Sequence, residues 1–99
     1  DIICFQEAIP AFVDCLQRHE LGSGYHISDT RVKPYGVLLL LSRERWPDRP
    51  DFEVHRLPST MFRKLVVCTV PTERGLWRVA TAHLESLNFA DMRETQLQI

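Results

Sequence analysis

Hydrophobic positions along this chain change period as it runs. Ile2, Ile3, Cys4 and Phe5 form a short apolar run that stops at Gln6-Glu7, which predicts a buried strand over Asp1–Gln6 with a carboxylate at its end. Ile9, Phe12, Val13 and Leu16 then recur at helical spacing behind Pro10, which suits a first helical turn because it has no N–H to satisfy. This helix is expected to close at Gly22. Gly22-Ser23-Gly24 reads as a connector, since the Lys-Ser/Thr of a phosphate loop does not follow it.

From Tyr25 onward the pattern is that of strands: a short one at Tyr25–Ser28, a strong one at Gly36–Ser42, then Phe52–Leu57, Phe62–Val70 and Leu76–His83. Val37 to Leu41 and Leu65 to Cys68 are apolar without alternation, so both of these strands are expected inside a sheet with both faces covered. Thr72-Glu73-Arg74-Gly75 predicts a tight antiparallel hairpin, and Arg43–Asp51, with Pro47 and Pro50, a surface loop. Asn88 is the expected N-cap of a second helix with Phe89, Met92 and Leu97 turned inward. Six strands and two helices make an α/β chain dominated by its sheets.

Composition narrows the function classes. At 99 residues and 44% hydrophobic the chain can build one modest core, and its longest apolar run, Val37 to Leu41, is far short of the ~18 residues of a spanning helix. No membrane partner is expected. A net charge of −1 argues against holding nucleic acid by bulk positive charge. Any phosphate recognition is therefore local, and Val54 to Thr72, which carries Arg56, Arg63 and Lys64 without an acidic residue, is one place for it. Cys4, Cys15 and Cys68 are odd in number and form no C-x-x-C pair, which suits a reduced intracellular compartment. A start on Asp1-Ile2-Ile3 and an end on Ile99 without a capping signal suggest an internal fragment of a larger domain.

Among chemistry-bearing residues, Glu7 stands where a strand gives way to a turn, a common position for ligands in α/β proteins. A lone carboxylate there suits Mg²⁺, which needs one or two protein carboxylates and takes water and phosphate oxygens besides, but it equally suits a helix cap. Gln6 beside it would orient that carboxylate or satisfy backbone groups. His83 ends a strand with Glu85 two residues on, so in an extended chain the two side chains share a face and can pair. A zinc site is disfavoured because no Pro-Cys-x-x-Cys partner occurs. Ser86 lacks a Gly-x-Ser-x-Gly elbow. Arg63, ahead of a buried strand, could grip a phosphate with its planar fork or simply be an exposed strand-end cation. His19, His26 and His55 read as structural, and Trp46 and Trp77 as packing groups.

Asp1-Ile-Ile-Cys-Phe-Gln-Glu7 and Ala80-Thr-Ala-His-Leu-Glu-Ser86 together resemble two signature segments of the endonuclease/exonuclease/phosphatase superfamily, the deoxyribonuclease-I-like fold. Leu57-Pro-Ser-Thr-Met-Phe-Arg63, His83-Leu-Glu-Ser86 and the run from Arg93 to Gln96-Leu97 look like its tyrosyl-DNA phosphodiesterase 2 branch. The resemblance implies part of a four-layer α/β sandwich, with two mostly antiparallel sheets flanked by helices. It implies a phosphodiesterase using Mg²⁺ (or Mn²⁺), acting on a DNA 5′ end that carries a tyrosyl adduct, in repair of stalled topoisomerase adducts. Glu7 matches the metal-binding glutamate and His83 a histidine that contacts the scissile phosphate, both catalytic. Tyr35, Arg63 and Ser86 match substrate-binding positions, although Gly36 follows the tyrosine where a larger residue is expected. A monomer in the nucleus, with some cytoplasmic presence, is the implied setting. The family's other catalytic segments, an upstream asparagine, a Gly-Asp-x-Asn and a Ser-Asp-His, do not occur in these residues, so this segment alone is expected to be inactive. Abasic DNA, RNA or phospholipid as substrate, and a non-catalytic α/β binding module, are the alternatives.

Overall fold

The structure, a computed structural model, describes residues 1–98. Strands β1 (Ile2–Ala8), β2 (Tyr25–Ile27) and β3 (Gly36–Ser42) form one antiparallel sheet in the order β1-β3-β2. A second antiparallel sheet, in the order β4-β5-β6, is made by β4 (Asp51–Arg56), β5 (Lys64–Thr72) and β6 (Gly75–Ala82). Three helices accompany them: α1 (Pro10–Arg18), α2 (Glu20–Ser23) and α3 (Ala90–Leu97). None of these helices is long and apolar enough to cross a membrane.

All six expected strands are present, and the two with unbroken apolar runs, β3 and β5, are the central strands of their sheets. A strand covered on both faces gains nothing from alternation, and β3 shows how the run is used. Leu38 and Leu40 face one way and pack with Ala8, Val13, Leu16 and Val32, joining the first sheet to α1. Val37, Leu39 and Leu41 face the other way and meet Val66, Cys68 and Val70 of the second sheet. Leu38 to Leu41 have no solvent exposure at all; at ~1.5–3 kcal/mol for each fully buried leucine, these four side chains dominate the core. The order is therefore helix on sheet on sheet, with β3 at the centre. Two buried polar side chains bond locally: the Ser28 hydroxyl accepts the Leu39 N–H at 3.0 Å, and the His26 ring Nε2 lies 2.8 Å from the Trp46 carbonyl, while the His26 Nδ1 has no partner among the described residues.

Several boundaries differ from expectation for identifiable reasons. The first helix does not run unbroken to Gly22. It breaks at His19, whose backbone is extended and whose Nδ1 accepts the Leu21 N–H at 3.0 Å, capping α2. Gly22 lies inside α2, where a Cβ would sit 2.0 Å from the Leu16 carbonyl oxygen. Close approach, and not a helix cap, demands glycine there; Gly24 is the cap. β1 continues through Glu7 to Ala8, but its register against β3 slips between Phe5 and Ala8. Phe62 and Arg63 precede β5, which extends instead to Thr72, and the expected hairpin closes Thr72 against Gly75.

α3 inverts the expected helix face. Asn88 does not cap it, Phe89 and Leu97 are exposed, Met92 is half-buried, and the buried residue is Gln96. The Gln96 Oε1 accepts the Glu85 N–H at 2.9 Å and its Nε2 donates to the Pro58 carbonyl at 2.7 Å. One side chain thus satisfies two main-chain groups, a gain that hydrophobic periodicity cannot register. Trp46 packs half-buried with its indole N–H on the Pro71 carbonyl, whereas Trp77 is more than half exposed.

Candidate active site

The two sheets are laced together at one end by Gln6, whose Nε2 donates to the Ala82 carbonyl at 2.8 Å. Of the two roles open to Gln6, satisfying backbone is the one adopted. This bond joins the end of β1 to the end of β6, so Glu7 and His83, remote in sequence, become neighbours. The Glu7 Oε1 lies 3.9 Å from the His83 Nδ1, too far for a hydrogen bond. Glu7 occupies the register slip with φ 54 and a carboxylate 72% exposed. A bulge re-aims a side chain that regular alternation would direct elsewhere.

Glu7 is one of three non-glycine residues with positive φ among the described residues; the others are Phe62 (φ 59), next to Arg63, and Leu87 (φ 62), next to Ser86. Each costs on the order of 1–3 kcal/mol. That all three flank one cluster of side chains marks this end of the sandwich as the place where strain is tolerated.

Arg63 organises the cluster. It is buried, not the exposed cation that its strand-end position also allowed. Its Nη1 lies 2.9 Å from the His83 Nδ1, and its Nη2 donates to the Ser86 Oγ at 3.3 Å and approaches the Met61 Sδ at 3.5 Å. Its guanidinium carbon sits 5.5 Å from the centre of the Tyr35 ring, a cation–π distance. Tyr35 is itself fixed by donating its hydroxyl to the Met61 carbonyl at 3.2 Å. Tyr35, Arg63, His83 and Ser86 therefore form one contact group, with Glu7 at its edge. Arginine has only donors, so the His83 Nδ1 must accept, which puts the ring proton on Nε2.

The pairing of His83 with Glu85 that an extended chain permits does not occur. β6 ends at Ala82, so residues 83–86 are not strand and the shared-face rule lapses. Glu85 turns inside, 2% exposed. Its Oε1 accepts the Ser59 hydroxyl at 2.6 Å, and its Oε2 accepts the Thr60 N–H at 2.9 Å and the Thr60 hydroxyl at 3.0 Å. The Arg63 Nε stands 3.7 Å from Oε1, an ion pair without a hydrogen bond. The carbonyls of Glu85 and Leu87 both accept from the Arg93 Nη1, at 3.1 and 3.0 Å, so α3 clamps this loop. Ser59 and Met61 carry no role in the sequence reading, and Glu85 is paired there with His83 and not with Ser59 and Thr60; the Pro58-Ser59-Thr60 turn chemistry is the available signal.

Burial pushes the Glu85 carboxyl up, but the Ser59 and Thr60 bonds and the Arg63 charge outweigh it and hold the group below its ordinary value. Asp29, bonded by Arg31, is lowered as well. A carboxyl lowered by folding contributes stability above its unfolded pKa of ~4.3 and loses it as pH falls through the folded value. The urea midpoint is thus expected to fall steadily below about pH 4.5, and Glu85→Gln to flatten that fall. An unchanged slope would contradict the assignment.

An exposed carboxylate and a set of fixed polar side chains thus stand side by side at this end of the sandwich. A single exposed carboxylate suits Mg²⁺; among the described residues no group of three or more His, Cys, Asp or Glu forms a cage. Size does not locate the site: a cleft of about 490 Å³ lined by Trp46, Pro47, Arg49 and Glu73 holds none of these residues.

No protein-family model matches the chain. Among curated proteins it is 35% identical over 101 residues to tyrosyl-DNA phosphodiesterase 2 of Gallus gallus, an alignment that takes in 100% of this chain and 27% of that protein. Among solved structures it superposes on D. rerio TDP2 complexed with a single-strand DNA product (TM-score 0.82, 27% identity, 99% of this chain and 39% of that one). It superposes also on D. rerio TDP2 humanized by 14 mutations (TM-score 0.79, 26% identity, 99% and 40%). The chain thus spans about a quarter of the curated relative and two fifths of the crystallised ones. The α/β fold with two antiparallel sheets is that of these structures.

Proposed function

We propose that this chain supplies the phosphate-gripping half of a Mg²⁺-dependent phosphodiesterase that hydrolyses 5′-tyrosyl-DNA bonds. The observation that carries the reading is the convergence of His83 and Ser86, both held by the Arg63 guanidinium, beside the exposed Glu7 carboxylate, in a chain similar to proteins named for that reaction. Glu7 would hold the cation. When bound, Mg²⁺ (or Mn²⁺) withdraws charge from a phosphoryl oxygen and lowers the pKa of coordinated water. His83 through Nε2–H and the Ser86 hydroxyl would bind the remaining phosphoryl oxygens, while the buried Arg63 behind them orients both and lends its charge to the oxygens as the bond breaks. Tyr35, stacked on Arg63, would fix the guanidinium plane. A DNA 5′ end bearing a tyrosine is the substrate in this reading, in a monomeric nuclear protein.

A competition assay tests it. The complete protein, given Mg²⁺, is expected to cleave a 5′-tyrosyl oligonucleotide at least ~10-fold faster than an abasic duplex or a lipid phosphodiester, a ratio of ~1.4 kcal/mol in barrier. Faster cleavage of either competitor would replace the substrate, and binding without cleavage of any would favour a non-catalytic module.

A further inference from the structure

We propose that Glu85 is the positioning residue of this corner: its buried carboxylate keeps Arg63 on His83 and thereby fixes the His83 ring in the Nε2–H tautomer and leaves Glu7 free for a cation. The tautomer stands on geometry alone. Its consequence for turnover rests on the phosphodiesterase reading.

Three charged side chains compete here. Arg63 is buried and has two carboxylates near it: Glu85 at 3.7 Å from its Nε, and Glu7, 3.9 Å from the same His83 Nδ1 that meets the Arg63 Nη1. Glu85 wins because it is pre-assembled. Ser59 and Thr60 give it three hydrogen bonds that do not depend on Arg63. Ser59 also ties the carboxylate to the arginine backbone, since its oxygen donates to Glu85 while accepting the N–H groups of Met61 at 2.8 Å and Arg63 at 3.2 Å. From the far side, Gln96 and Arg93 hold the Glu85 main chain.

The Nε of Arg63 is buried with no hydrogen-bond partner, so its hold on Glu85 is the Coulomb attraction of an ion pair in a poorly screened interior. Remove that negative charge and the guanidinium is left uncompensated beside one remaining anion, the exposed Glu7. Rotation toward Glu7 would free the His83 Nδ1 from a group that can only donate. The ring can then carry its proton on Nδ1, and the carboxylate is neutralised before a cation arrives. Charge placement two contacts away would thus decide both which imidazole nitrogen offers a proton to the phosphate and how much negative charge Glu7 retains.

The test uses the complete protein with ¹⁵N-labelled histidine at pH 8.5, above the ordinary imidazole range. The His83 nitrogens of the wild type are expected to report protonated Nε2 and bare Nδ1. Glu85→Gln, which keeps the size of the side chain and one acceptor oxygen for the Thr60 N–H and hydroxyl while giving up the acceptor for Ser59, is expected to move population to Nδ1–H. Mn²⁺ affinity, read by paramagnetic broadening, is expected to fall roughly 10- to 100-fold, as for other groups that orient a metal site from behind. The paired variant Glu85→Gln/Arg63→Met buries no lone charge and keeps the test open if the single variant does not fold; its His83 is expected to lose the Nε2–H preference as well. A wild-type His83 protonated on Nδ1, or either variant with an unchanged Nε2–H signature, would overturn the proposal. Because tautomer and metal affinity are read without substrate, absence of tyrosyl-DNA cleavage would count against the functional reading and not against this one.

Discussion

Glu7→Ala in the complete protein is expected to lower kcat on a 5′-tyrosyl oligonucleotide by on the order of 10²- to 10³-fold at saturating Mg²⁺, the range for removal of one charge-stabilising group from an active site. Stability should not follow. The side chain is 72% exposed and makes no hydrogen bond among the described residues, the His83 ring nitrogen lying 3.9 Å away, so the urea midpoint should shift by no more than ~0.5 kcal/mol in free-energy terms. Glu7→Gly sharpens the contrast. Glycine adopts φ 54 without the steric cost that any other residue bears, so this variant should lose activity to the same degree while gaining about 1 kcal/mol of stability. A stabilised, inactive Glu7→Gly protein would show that the strained bulge is maintained for the carboxylate. Full activity in either variant would remove Glu7 from the site.

Leu39→Ala is expected to cost ~2–5 kcal/mol and to unfold the protein well below the wild-type midpoint in thermal or urea melts. Leu39 has no solvent exposure, and it packs on the central strand of one sheet against Val66, Cys68 and Val70 of the other. The methylenes removed would leave a cavity between two hydrogen-bonded sheets, which cannot collapse around it as a loop can. Leu87→Ala is the control. That leucine is 77% exposed in a left-handed backbone, and the change should stay within ~0.5 kcal/mol. Equal losses in the two variants would contradict the order helix on sheet on sheet.

Sequence and structure agree where burial decides and part where a single polar contact does. Elements whose identity rests on burial were legible: the apolar runs at Val37 to Leu41 and Leu65 to Cys68 became the two central strands, and Pro10 opened its helix. Elements whose identity rests on a single polar contact were not. The break at His19 depends on one imidazole acceptor, and the face of α3 on the two hydrogen bonds of Gln96. Alternation carried three residues past the end of β6 pairs Glu85 with His83, where the chain has already left the strand and turned Glu85 toward Ser59. The candidate residues Glu7, Tyr35, Arg63, His83 and Ser86 could be named from resemblance to a family, but neither pattern nor spacing said that they touch.

Sequence by itself determined that this chain is α/β, that two of its strands are interior, and that a carboxylate and a histidine stand at strand ends, because each follows from local hydrophobicity and chain stereochemistry. Only the tertiary structure decided that the two strand ends meet, that Arg63 is buried between Glu85 and His83, and that strain gathers at Glu7, Phe62 and Leu87. Those facts depend on how two sheets register on one another, and that register is set by packing and hydrogen bonds between residues far apart in the chain.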